Sequence, residues 1–297
     1  MDADNRGDRA VDAFVTHRNL LFTVAYEMLG SAADAEDVLQ ETWLRWADAD
    51  LSTVRDQRAY LVRITARQSL NRLRAVGRRR ESYVGSWLPE PLLTAPDVAD
   101  DVELAESVSM AMLLVLETLA PTERAVFVLR EVFDLGYDEI AEAVDKSPAA
   151  VRQIAHRARA HVAARRPRGM VSPAETRRAL TAFRLAVETG DVQGLLDVLA
   201  PDVVLLGDGG GIKQAVLRPV VGADKVARLL CSPHARTATM SLHPTQVNGH
   251  PALVLRMDGA VDTVLALRID DGLISGVYAV RNPVKLSHMQ RETTLRR

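Results

Sequence analysis

Residues 137–162 read YDEIAEAVDKSPAAVRQIAHRARAHV, two short helices joined by a tight turn. Ile140, Ala141 and Val144 fall on one face of the first at helical spacing. Asp145-Lys146-Ser147 forms the turn. Ser147 is a good N-cap, and Pro148 suits the first helical position, where its missing N–H has no partner to lose. The second helix buries Val151, Ile154, Ala155, Ala158 and Val162. Its opposite face carries Arg152, Gln153, His156, Arg157 and Arg159. Two helices in this arrangement fit a DNA major groove, where Arg matches guanine edges and Gln matches adenine edges. An ordinary helical hairpin shares the apolar pattern; the unmixed basic outer face separates the two readings. Upstream, Pro121 starts a helix with Ala125, Val126, Leu129 and Val132 apolar, and Gly136 breaks it.

Charge is segregated along the chain although the total is only −2 over 297 residues. Seven basic residues and no acid lie between Lys146 and Arg168. Nine arginines and one acid, Asp56, lie between Arg55 and Arg80, whereas residues 31–50 hold six acids and one arginine. Concentrated positive charge suits phosphate contacts, because each neutralised phosphate releases counterions.

The N-terminal 80 residues read as three helices. Phe14, Leu20, Leu21, Val24, Ala25, Met28 and Leu29 recur at spacings of three and four, and Gly30 ends that helix. Ser31 caps the next, with Asp34 three positions on in a capping-box-like arrangement; it runs through Val38, Leu39, Trp43, Leu44 and Trp46. The third spans about 57–74, with Leu61, Ile64, Leu70 and Leu73 inward. Pro89, Pro91 and Pro96, followed by an acidic run from Asp97 to Glu106, mark a linker. A second helical block covers about 101–166, and the character changes at Pro167-Arg168-Gly169. A long helix over 173–189 then precedes β-branched runs at 203–206, 214–221, 237–247, 252–257, 261–269 and 273–280. Asp208-Gly209-Gly210-Gly211, Asn248-Gly249 and Asp271-Gly272 are the turns, so the last part is an α+β domain with a mainly antiparallel sheet.

A hydrophobic fraction of 47% with 26% charged residues fits a folded soluble chain. The lone cysteine, Cys231, excludes an intramolecular disulfide and fits a cytoplasmic protein. The polar start has no apolar signal core, and no apolar run is long enough to span a membrane. No Cys/His spacing suits a metal, and the Gly-rich 208–211 loop lacks the context of a nucleotide-binding motif, so neither metal nor cofactor is expected.

Three motifs in order resemble the extracytoplasmic-function (ECF) sigma factors of the sigma-70 family. Residues 33–43, ADAEDVLQETW, are similar to their polymerase-binding helix; 58–80, beginning RAYLVRITARQSLN, to their −10 region; and 119–159, beginning LAPTER, to their −35-reading domain. The resemblance implies core RNA polymerase (its β′ and β subunits) and promoter DNA as partners. Asp34, Glu36, Asp37, Gln40 and Glu41 then face the β′ coiled coil. Arg63, Arg67, Asn71, Arg72, Arg74, Arg78 and Arg79 are the implied −10 contacts, with Arg67 standing where the family often has Asn near a pocket for a flipped base. Arg152, Gln153, His156, Arg157 and Arg159 are the implied −35 contacts.

The C-terminal part resembles the SnoaL-like (NTF2-like) extension found in one subgroup of these factors. Trp87-Leu88-Pro89-Glu90-Pro91, Asp208-Gly209-Gly210-Gly211 with Lys213, and Asn282-Pro283-Val284-Lys285-Leu286 carry that resemblance. It implies a cone-shaped α+β domain that contacts the sigma core and tunes its activity. The expected organisation is a multidomain chain: helical region 2 over 1–82, linker over 83–104, helix-turn-helix region 4 over 105–168 and a regulatory domain over 173–297. SnoaL-like domains include enzymes that use Asp or His, and His234, His243, His250, Asp202, Asp258 and Asp262 are available, but none forms a dyad by spacing. A non-enzymatic role is therefore expected, with a small-molecule ligand of the C-terminal domain kept as a candidate partner. The rival readings are a helix-turn-helix regulator that works without polymerase, and an enzymatic or ligand-sensing domain fused to a DNA-binding module.

Overall fold

The computed structural model describes residues 2–80, 82–95, 101–165, 172–232 and 240–297; Pro96, Asp97, the 166–171 junction, His234 and Thr237 lie outside them. Side chains of Arg78 and Arg79 are likewise outside the description. Helix α1 (Asp2–Leu29), α2 (Ala32–Ala47) and α3 (Gln57–Arg80) pack around Leu21, Val24, Met28, Val38, Trp46, Leu61 and Leu70. Trp46 is fully buried, and its indole N–H donates to the Ala10 carbonyl at 2.8 Å, so the buried polar atom is satisfied.

After the linker come α4 (Val102–Val108), α5 (Met110–Glu117), α6 (Pro121–Phe127), α7 (Tyr137–Val144) and α8 (Pro148–Ala163). The α6 helix continues as a π-turn over Val128–Val132. The α7–α8 turn follows the sequence logic: Asp145 adopts the left-handed conformation at φ 57°, and Ser147 accepts from the Ala150 amide at 3.2 Å. The two helical blocks share one apolar core, with α3 lying directly against α7.

The remaining elements are α9 (Pro173–Thr189), α10 (Val192–Leu196), β1 (Leu199–Asp208), β2 (Val220–Val221), α11 (Ala223–Leu230), β3 (Met240–Val247), β4 (His250–Met257), β5 (Ala260–Asp270), β6 (Leu273–Val280) and α12 (Pro283–Leu286). They build a six-stranded sheet in the order β2-β1-β6-β5-β4-β3. Among these strands the β1–β6 pair is parallel and the others are antiparallel. The strand expected over 214–221 shrinks to Val220–Val221, because residues 212–219 form a loop returning from the Gly-rich turn.

Each sheet face is covered by a different part of the chain. Leu180, Phe183, Val187, Leu195 and Val226 of the helices pack on one face against Leu205, Leu253, Leu265 and Val277. The other face, with Val254, Val264, Tyr278 and Val280, receives Leu88 of the linker, Met110 of α5 and Leu286 of α12. The proline-rich segment is thus docked rather than solvated: Leu88 and Leu92 are almost wholly buried. Prolines donate no amide hydrogen, and the segment runs extended, pairing Leu93 with Val247 and Thr94 with Thr293.

Candidate nucleic-acid interface and interdomain clamp

On α8, Arg152, Gln153, His156 and Arg157 are exposed on one face. The Arg152 guanidinium lies over the Tyr137 ring at 5.6 Å, and Arg157 stands 3.7 Å from Glu123. Arg159 turns back, pairing with Glu131 at 2.7 Å and donating to the Tyr137 hydroxyl at 2.9 Å. The face therefore exposes four polar side chains, with Arg159 turned back behind it.

On α3, Arg67, Asn71 and Arg74 are exposed. Arg67 and Asn71 line an open hollow of about 640 Å³ with Tyr60, Ile64, Gln68 and Arg45. Arg63 points elsewhere, to an ion pair with Glu142 of α7. Arg72 donates to Asp34 at 2.7 and 2.9 Å and to Asp37 at 2.5 Å, so it ties α3 to α2. Glu36 pairs with Arg18 at 2.7 Å, which leaves Asp37, Gln40 and Glu41 as the exposed part of the acidic face.

The α2 N-terminus shows why sequence spacing alone misplaces a partner. Ser31 accepts from the Asp34 amide at 3.1 Å, as a cap should. The carboxylate serving the free amides is Glu90 from the linker, 59 residues from Ser31, and not Asp34. It accepts from Ser31 Oγ at 2.9 Å and from the Ala32 and Ala33 amides at 2.7 and 3.2 Å. Gly30 makes room: at φ 65° its missing side chain lets the Trp87 ring approach to where a Cβ would be 2.9 Å away.

The three motifs 87–91, 208–211 and 282–286 converge on one buried carboxylate. Asp208, with no exposed surface, accepts from the Tyr83 hydroxyl at 2.6 Å, the Leu88 amide at 2.9 Å, the Gly210 amide at 3.0 Å and Lys285 Nζ at 2.7 Å. Lys285 is also buried; it donates to the Leu88 carbonyl as well and sits 4.2 Å from the Trp87 ring centroid. Asn282 caps α12 by accepting from the Val284 amide at 3.0 Å and donates to Tyr83 Oη at 2.9 Å. Gly210, at φ 62°, leaves no space for a Cβ, which would lie 2.2 Å from Asn282 Nδ2. The Gly209 carbonyl closes the loop by accepting from Ile212 and Lys213. Gly211 lies against Val84. Burial first, and the Asp208 bond second, push the Tyr83 phenol above its ordinary range, so it stays a neutral donor. Lys213 is not part of this cluster. It pairs with Asp262 at 2.7 Å, beside Arg281 at 2.9 Å.

Asn248 in the β3–β4 hairpin is a second hub that the sequence presented only as a turn residue. Its Oδ1 accepts from the Leu92 amide at 2.9 Å; its Nδ2 donates to Tyr26 Oη at 2.7 Å and to the Val108 carbonyl at 2.8 Å. One side chain thus joins the sheet to the linker, α1 and α4. The C-terminal tail crosses the same border: Leu295 is buried in the helical core, and Arg297 pairs with Asp101 and Glu103. Among the candidate acid–base residues, His250 contacts the Ala105 carbonyl at 3.0 Å, His243 contacts Ser241, and Asp258 sits in a turn at φ 51°. No hydrogen bond joins any two of Asp202, His243, His250, Asp258 and Asp262 among the described residues.

Glu27 of α1 is fully buried at the helical side of this border, and desolvation pushes its carboxyl from an ordinary 4.5 up to about 8, against the opposing Ser107 hydrogen bond. The folded chain then binds more protons than the unfolded one between those values, so stability falls as pH rises through that window. Glu27→Gln is expected to flatten that slope and to gain a few kcal/mol relative to wild type at pH 9. Urea unfolding from pH 5 to 9 checks this; parallel pH profiles for the two proteins would refute it.

Basic exposed faces on two helical units, joined by a docked linker, fit the class of sigma-type initiation factors. The chain matches the family models Sigma-70 region 2 over residues 13–79 and Sigma-70, region 4 over residues 109–162. It belongs to the ECF RNA polymerase sigma factors. It is 34% identical to the ECF RNA polymerase sigma factor SigJ of Mycobacterium tuberculosis over 93% of both chains. It is 35% identical to the probable ECF RNA polymerase sigma factor SigI of that species over 94% of this chain and 96% of the relative. The crystal structure of M. tuberculosis SigJ superposes with a TM-score of 0.75 at 33% identity, over 94% of this chain and 98% of that one. No helix among the described residues is long and apolar enough to cross a membrane.

Proposed function

We propose that this factor carries core RNA polymerase to promoters through region 2 (1–82) and region 4 (105–168), while the 173–297 domain, acting through the 83–104 linker, holds the two regions closed. In this reading Asp34, Glu36, Asp37, Gln40 and Glu41 dock on the polymerase β′ coiled coil, and region 4 approaches the β subunit. Arg67, Asn71 and Arg74, with Arg63, Arg72, Arg78 and Arg79, serve the −10 element; Arg152, Gln153, His156 and Arg157, backed by Arg159, serve the −35 element. The resting charge network supports a closed state, because Arg63 of region 2 is already occupied by Glu142 of region 4.

The carrying observation is the packing of α3 directly on α7 within one core, with the linker that follows α3 held on the sheet by the Asp208–Lys285 cluster. Elements at −10 and −35 are separated by 25 base pairs, roughly 85 Å of B-form DNA at 3.4 Å per step. Two regions in contact cannot span that distance, so promoter reading requires them to part. The C-terminal domain therefore restrains the factor until polymerase or another partner opens it. A small-molecule ligand of that domain could act on the same equilibrium.

Arg152→Ala and Arg157→Ala are each expected to weaken promoter binding by about 1–3 kcal/mol, the value of a good bidentate base contact. Both side chains are exposed, so thermal stability should hardly change. Run-off transcription with core polymerase, beside thermal melts, tests the assignment; wild-type transcription from both variants would remove α8 from the groove.

A further inference from the structure

The Asp208 cluster surrounds one cation with groups that come from other parts of the chain. Lys285 Nζ lies 2.7 Å from Asp208 Oδ2 and donates to the Leu88 carbonyl. It stands 4.2 Å from the centroid of the Trp87 ring and 5.1 Å from that of Tyr83. A carboxylate, a carbonyl and two aromatic faces around one nitrogen supply what an ammonium needs once water is gone: acceptors for its hydrogens and negative ring faces for its charge. The carboxylate is aimed independently of the lysine, by the Tyr83 hydroxyl and by the Leu88 and Gly210 amides.

The residue type points the same way. Of the 37 basic residues in the chain 33 are arginine, so the chain's own usage does not account for a lysine here. A guanidinium is planar and spreads its donors in a rigid fork, whereas an ammonium is compact and turns its hydrogens about a point. The cage therefore selects the head group as well as the charge. Access follows the lysine stem. Pro283, Val284 and Ser287 of the α12 segment are exposed, while Lys285 is 6% exposed. The helix lies at the surface, and the stem runs inward from it and fills the path between solvent and Asp208.

We propose that this cage is a receptor for a primary alkylammonium, occupied in the resting chain by Lys285 and open to a soluble amine once that stem is withdrawn. A bound amine keeps Trp87 and Leu88 tied to Asp208 without the tail. The consequence for the two sigma regions rests on the closed-state reading above, whereas binding itself does not.

Lys285→Ala removes everything beyond Cβ, the outline of n-propylammonium, and leaves Asp208 and the linker unchanged. The full-length variant is titrated with n-propylammonium chloride at fixed ionic strength. The controls are 1-propanol, which lacks the charge, and trimethylpropylammonium, which lacks the N–H donors. The melting temperature of the variant is expected to rise to a plateau with propylammonium, recovering at least about half of what the substitution lost. Each control should need at least about tenfold more ligand for the same rise, because it leaves the buried acceptors unmet. Proteolysis within 82–95 should slow in step. Wild type should not respond, nor should Lys285→Met, whose neutral chain fills the path. Should Lys285→Ala fail to fold alone, its refolding yield against propylammonium concentration replaces the melt. Absence of a plateau, equal potency of either control, or an equal response of wild type overturns the proposal. The readout needs neither polymerase nor promoter, so its failure and that of the closed-state reading are told apart.

Discussion

Asp208→Ala is expected to open the closed form and to lower stability by about 3–5 kcal/mol, the usual consequence of leaving a buried charge without its partner. Lys285 would lose its carboxylate while holding the Leu88 carbonyl and the Trp87 and Tyr83 ring faces, inside a site where it is 6% exposed. Tyr83 and the Leu88 amide would lose their acceptor at the same time. The chain can escape that cost without unfolding either core, by lifting residues 83–92 off the sheet. The result should be a larger radius of gyration by solution scattering with unchanged helix content by far-UV circular dichroism. Proteolysis within 82–95 should be faster, and transcription from a cognate promoter should rise. Asp208→Asn, which keeps an acceptor but removes the charge, should fall between the two. A variant as compact and as stable as wild type would show that the cluster is not what holds the linker.

Asn248→Ala should be nearly as damaging, although no ion pair is involved. It strands the Leu92 amide and the Val108 carbonyl and takes from the Tyr26 hydroxyl the bond it accepts, leaving that hydroxyl only its donation to the Glu90 carbonyl, all around a residue 1% exposed. Each unmet buried group costs about 1–3 kcal/mol, less than additively when neighbours relax together, so a total on the order of 3–4 kcal/mol is expected. Alanine also bears the left-handed backbone at φ 55° badly, adding about 1 kcal/mol. Asn248→Gly separates the two effects, since glycine accepts that φ and loses only the hydrogen bonds. Asn248→Asp should be worst, because it sets a carboxylate oxygen against the Val108 carbonyl. Urea unfolding resolves these ranks; Ala and Gly variants within about 0.5 kcal/mol of wild type would reduce Asn248 to an ordinary turn residue.

Much of the helical architecture was legible because its causes are local. Ser147-Pro148 starts α8 by removing two unmet amides, and the Val151, Ala155, Ala158 and Val162 spacing fixes which face is buried. The Gly30 stop, the Ser31 cap and the Asn248-Gly249 hairpin are decided within four residues of chain. Where expectations missed, the cause was distant. Strand 214–221 gave way to a loop, and the short helices Val192–Leu196 and Ala223–Leu230 went unread because each holds only about one to two turns of periodicity.

By itself the sequence determined the segregation of charge, the order of motifs and the existence of three motif-bearing segments, all properties of residues near one another in the chain. Only the tertiary structure decided that Trp87–Pro91, Asp208–Gly211 and Asn282–Leu286 meet around one carboxylate, while Lys213 stands aside with Asp262. Only it gave the cap of α2 to Glu90, occupied Arg63 and Arg72 with acids, and made a hub of Asn248. The physical reason is burial. A carboxylate, an amide or a lysine in water is satisfied anywhere, but once the linker and the sheet exclude water, each buried polar group must find its partner in space, and that partner can lie two hundred residues away.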